Sequence, residues 1–179
     1  MTACIWVCCS PIEGAIIEDR PTSGVFGVKA GIIAGTETRG EFRVTTDWDK
    51  SFGVFGEVPF WRPVFVQFAF DFHSFRQNRL DNWMIDANIG IKPHFRLRRH
   101  RMDIKPGVAF GYGSIGEYAS ALGDTDYFTL RLFVEGDFEI DRKKALLVEF
   151  SVLYATGGNN NLDLHIKPTM MLRFGIGLR

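Results

Sequence analysis

Fourteen charged side chains recur at alternating positions in this 179-residue chain and are the groups best placed to do chemistry. The basic ones are Lys29, Lys92, Arg96, Lys105, Arg131 and Arg173. The acidic ones are Glu57, Asp71, Asp86, Asp103, Glu135, Asp137, Glu139 and Glu149. Carboxylates beside a histidine or a serine suggest acid–base or nucleophilic catalysis, whereas near-balanced opposite charges removed from water pair with one another. The spacing gives little support to catalysis. His73 and Ser74 are adjacent, so in an extended chain they face opposite ways and form no nucleophile–base pair. Glu149 and Ser151 share a face, with no residue evident to orient a base, and Asp71 with His73 reads as an interior pair. The four histidines (His73, His94, His100 and His165) lack metal-ligand spacing, and no phosphate loop or dinucleotide fingerprint occurs. Neither a metal nor a cofactor is expected.

The other composition signals narrow the class. A chain of this length makes one domain, and 18 consecutive apolar residues occur nowhere, so no transmembrane helix is expected. The formal net charge is zero, which gives no case for nucleic acid. Cys4, Cys8 and Cys9 lie within the first nine residues, leaving the body without thiols or disulfides. Residues 1–20 read as a truncated export signal or a disordered tail, since Met1–Cys9 is apolar but lacks a basic start. Residues 21–179 form the domain.

The elements that must position the charges are strands. From Trp83 to Leu97, the set Ile85, Ala87, Ile89, Ile91, Pro93, Phe95 and Leu97 is free of charge, and the intervening set is almost wholly polar. Successive side chains of a strand face opposite ways, so this is a ribbon with one greasy and one wet side. Seven further segments repeat the pattern: Val25–Ala34, Ser51–Phe60, Val64–Phe75, Met102–Gly113, Tyr127–Ile140, Lys144–Thr156 and Lys167–Leu178. The connections alternate between long (Gly35–Lys50, Arg76–Asn82, Ser114–Asp126, Gly157–Ile166) and short. Prolines 93, 106 and 168 strain any closed sheet, and they fall near strand ends.

A soluble sandwich or lipocalin-like barrel also alternates, with its greasy face buried. Three features favour a greasy face turned to lipid. None of the eight greasy faces carries a charge; the opposite face mixes charges with many glycines, as a crowded interior requires; and aromatic residues such as Trp61, Trp83, Tyr112 and Tyr154 cluster near strand ends. The expected fold is all-β: a closed, eight-stranded, antiparallel, up-and-down transmembrane β-barrel.

The pattern over Gly24–Arg179 resembles the small eight-stranded bacterial outer-membrane β-barrel proteins of the OmpA/OmpX-like class. The resemblance implies an outer-membrane location, a monomer, outer-membrane lipid as its surroundings, and long loops facing outward with short turns facing the periplasm. Lipopolysaccharide or an extracellular partner would meet the loops. Lipid A deacylases share this architecture and carry a His-x-Ser-Asn element near the penultimate strand. Here Glu149-Phe150-Ser151 has no histidine two residues before the serine.

Eight strands enclose a space that side chains about fill. The charged set is therefore expected to form a network that plugs the lumen, with Arg131 held by acids from at least one other strand. The leading functional expectation is a non-enzymatic envelope or surface-interaction barrel. A narrow solute channel is the second, and a lipid A-modifying enzyme the third.

Overall fold

A computed structural model describes residues 15–16, 24–33, 37–39, 44–45, 49–61, 63–77, 80–97, 101–117, 125–159 and 162–179. Most of the expected N-terminal segment lies outside them. Among the described residues twelve strands run in chain order: β1 (Ala15–Ile16), β2 (Val25–Ile33), β3 (Glu37–Arg39), β4 (Val44–Thr45), β5 (Asp49–Trp61), β6 (Val64–Gln77), β7 (Leu80–Pro93), β8 (Phe95–Leu97), β9 (Met102–Glu117), β10 (Thr125–Glu139), β11 (Lys144–Asn159) and β12 (Leu162–Leu178). Eight of them close a ring of antiparallel neighbours, β2–β5–β6–β7–β9–β10–β11–β12 and back to β2.

The register fixes the shape of the ring. Registered partners lead from Ile104 through Gly136, Val148, Phe174, Ala30, Phe52, Phe72 and Ile85 back to β9 at Ser114, ten residues beyond the start. Such a stagger tilts the strands by about 40° to the barrel axis. A 15-residue strand such as β10 then rises about 35–40 Å, enough to cross a hydrocarbon core of about 30 Å.

Alternation sorts the side chains cleanly. Phe110, Phe128, Leu132, Phe150 and Phe174 stand exposed on the outside, while Lys29, Asp71, Arg131 and Glu149 are buried within. The greasy faces look outward, as a lipid-facing barrel requires and a soluble one forbids.

Glycines on the inner face make room for the buried charges. Gly53 lies opposite Asp71, and a Cβ there would collide with the Asp71 carboxylate. Gly53→Ala should therefore lower unfolding stability by about 1–3 kcal/mol, as overpacking does. Gly56, where an added Cβ meets only Phe26 at 4.0 Å, is the matched control. Denaturant unfolding in lipid vesicles distinguishes the two.

The structure corrects three expectations. The segment Trp83–Leu97 is not one strand: it breaks at His94, whose N–H donates to Pro63 O at 2.9 Å. Ile91 pairs with Val108 and Phe95 with Ile104 in a single register, which sets Pro93 opposite Pro106. Neither has an N–H, so the ladder lapses between them. Below the break β8 continues along β9, and β1 covers its other edge through Ala15↔Leu97 and Ile16↔Arg96. Pro168 is accommodated where the β11–β12 register shifts, between Leu153 and Ala155.

Two of the four expected long loops are, second, mostly ladder. Pairing continues to Gln77↔Leu80 and to Asn159↔Leu162, so the described residues of Arg76–Asn82 and Gly157–Ile166 extend the β6–β7 and β11–β12 ladders. The first loop also carries structure, since β3 pairs with both β4 and β12. The third correction concerns His73, which faces Asp86 rather than Asp71.

Candidate functional site

The lumen is filled by charged side chains from all eight barrel strands, and they sort into three tiers. Nearest the hairpin end, Asp71 on β6 accepts from Arg131 Nη1 on β10 at 2.6 Å and also bonds Arg173 on β12. Arg173 Nη2 reaches Glu149 on β11 at 2.5 Å. Asp86 on β7 lies 3.6 Å from Arg131 Nη2 and 3.3 Å from His73 Nε2. Asn88 Nδ2 donates to both aspartates, to Asp71 at 2.9 Å and to Asp86 at 3.0 Å. Asp71 and Asp86 are registered neighbours, so the two arginines also relieve a direct repulsion between like charges.

The middle tier is built on lysines. Lys29 pairs with Glu135 and, at 2.8 Å, with Glu149, which links this tier to the first. Lys92 pairs with Glu57 and, at 2.6 Å, with Glu135. Lys105 meets Asp137 at 2.5 Å and Glu57 at 3.0 Å. Aromatic faces complete the surroundings: Lys29 Nζ is 4.3 Å from the Phe55 centroid, and Lys105 Nζ is 5.8 Å from that of Phe65.

The third tier lies at the turn end and is only partly enclosed. Arg96 Nη2 donates to Glu139 at 2.6 Å, and Arg179 Nη2 donates to Asp103 at 3.0 Å. His94 Nε2 is 3.1 Å from Asp103, and its ring packs edge-on against Phe65.

Every charged residue singled out from the sequence thus takes part in these tiers, twelve buried and Arg96 and Glu139 half-buried. Apolar side chains share the inner face with these charges. Ile33, Met84, Tyr127, Leu153, Ala155 and Met171 form one buried cluster beside the first tier; Val25, Phe55, Ala145 and Leu147 form another below Lys29. Tyr127 Oη closes the upper cluster by donating to Ile85 O at 2.9 Å. Parity placed all of these residues inside; only register shows that they bracket the charges.

One arrangement has the composition of a catalytic triad. Ser51 is registered with His73, and His73 faces Asp86. Its geometry is not catalytic. Neither Ser51 Oγ nor His73 Nδ1 has a hydrogen-bond partner, and all three residues are buried. A nucleophile must be hydrogen-bonded to its base and open to substrate. Among the described residues no group of three or more His, Cys, Asp or Glu side chains is placed to hold a metal ion.

Comparison with solved structures adds the fold's relatives. Neisserial surface protein A superposes with a TM-score of 0.60 at 9% identity, covering 86% of this chain and 96% of that one. The outer membrane protein OprG of Pseudomonas aeruginosa gives 0.59 at 11% identity, covering 87% and 95%. No protein-family model matches the sequence, nor does any curated protein. The fold, with its outward apolar belt, is that of the small bacterial outer-membrane barrels.

Proposed function

We propose that the chain is a non-enzymatic outer-membrane barrel with a plugged lumen, whose task lies in the hairpins it carries beyond the membrane. The observation that supports this reading is the closed ion-pair lattice. Lys29, Lys92, Lys105, Arg131 and Arg173 are buried against Glu57, Asp71, Asp86, Glu135, Asp137 and Glu149, with an apolar cluster on either side. A channel would need these charges facing water along a continuous path. Here each is met by an opposite charge from another strand, so an ion entering would have to break several pairs at once.

The protruding ends of β6–β7, β9–β10 and β11–β12, with the β3–β4 ribbon, are the surfaces left to act. Lipopolysaccharide or an extracellular partner is the ligand class they would meet, and the protein acts as a monomer. In a planar bilayer the wild-type protein should add no stepwise conductance. Arg131→Ala removes a cation from between Asp71 and Asp86 and should admit measurable current. Steady conductance from the wild type would overturn the plugged reading in favour of a channel. A change in lipid A mass on expression of the protein would favour the enzyme.

A further inference from the structure

We propose that the short-turn rim of the barrel is a docking surface for the anionic phospholipid headgroups of the leaflet it borders. The zero net charge of the chain conceals a strong local excess. Among the described residues, the turns at this end hold Arg101, Arg142 and Lys143, with Lys144 opening β11; Asp141 is the single acid beside them. Arg101, Arg142, Lys143 and Lys144 are all exposed, and none of their side chains joins an ion pair among the described residues. The Asp141 carboxylate is already engaged, accepting from Lys143 N at 2.7 Å.

The backbone beneath these cations is tied down. Glu139 N donates to Arg101 O at 3.0 Å and so joins two turns; Ile140 N donates to Lys144 O at 3.0 Å, and Arg179 N to Lys143 O at 2.9 Å. A fixed platform with free cationic tips loses only side-chain freedom when it binds phosphates. Arg179 shows the contrast, since its side chain turns inward to Asp103.

Depth identifies the partner. Trp61 and Phe60 are the most exposed large apolar side chains described, at 76% and 75%, and Ile140 stands 61% exposed beside the basic turn. Aromatic residues of this kind mark the membrane interface, so the cations just beyond them lie at headgroup level, where long basic side chains reach phosphate oxygens. A polymeric anion lying away from the membrane would not call for that apolar border.

The proposal rests on the chain spanning a bilayer, and heat-modifiable gel migration of the refolded full chain checks that premise separately. The test is native mass spectrometry of lipids retained from vesicles of phosphatidylcholine mixed with phosphatidylglycerol. It compares wild type, the triple variant Arg142→Gln/Lys143→Gln/Lys144→Gln, and Lys50→Gln at the opposite end. Wild type and Lys50→Gln should retain phosphatidylglycerol preferentially, and the triple variant should lose that preference by about 5-fold or more, as expected even for one surface cation. Equal preference in wild type and the triple variant, or an equal loss in Lys50→Gln, overturns the proposal. So does a wild type that sediments with purified peptidoglycan through these residues yet shows no lipid preference.

Discussion

Asp71→Ala should cost the barrel about 3–5 kcal/mol, the penalty for leaving buried partners uncompensated. Asp71 is bonded by both Arg131 and Arg173 and by Asn88, so its removal takes a shared carboxylate from two guanidinium groups at once, leaving Arg173 to Glu149 and Arg131 with only Asp86 at 3.6 Å. Those groups come from β10 and β12, which makes Asp71 the point where opposite walls of the barrel are tied together. Unfolding by urea in lipid vesicles, followed by tryptophan fluorescence, reads the loss directly. Asp71→Asn should fall between wild type and alanine, because it keeps the shape and an acceptor but not the charge. A neutral result for Asp71→Ala would mean that water already solvates the arginines, and the plugged lumen would be abandoned.

Leu132→Arg should cost about 2–4 kcal/mol if its side chain meets lipid near the bilayer midplane. Leu132 is 47% exposed on the outer face, between Val108 on β9 and Val152 on β11. In a water-soluble barrel the same change at so exposed a position would be almost free, typically within about 0.5 kcal/mol. The experiment therefore asks what solvent the outer face meets, without any assumption about function. Comparable stability of Leu132→Arg and wild type in lipid would sink the membrane reading.

Strand number, facing and the identity of the buried charges were legible in the sequence because lipid outside and a crowded interior impose opposite chemistry on neighbouring residues. The pattern failed where that contrast ends. Beyond the membrane both faces of a hairpin meet water, so Arg76–Asn82 and Gly157–Ile166 lose their alternation although their backbones stay paired. Partners within the lumen were also hidden. Asp71 and His73 share a face, but residues two apart on one strand are about 7 Å apart, and cross-strand neighbours approach more closely. His73 accordingly meets Asp86. The opposition of Pro93 and Pro106 likewise needs the stagger between strands, which no single segment encodes.

That opposition divides the molecule. On one side of the lapse lie β2, β5, β6 and β7, on the other β9, β10, β11 and β12, four barrel strands each, joined through the connection at residues 98–101. Each half meets the other along two ladders: ten consecutive registered pairs from Asn82↔Glu117 to Ile91↔Val108 above the lapse, and eight from Met171↔Ile33 to Leu178↔Phe26 at the seam that closes the ring. A cut between residues 97 and 101 would thus sever the covalent link where the ladder is already interrupted. The two halves would keep complementary charges, with Asp71, Asp86 and Glu57 on one and Arg131, Arg173 and Lys105 on the other. Such fragments should recognise each other in lipid, so the barrel can serve as a split reporter whose reassembly is written into its lumen.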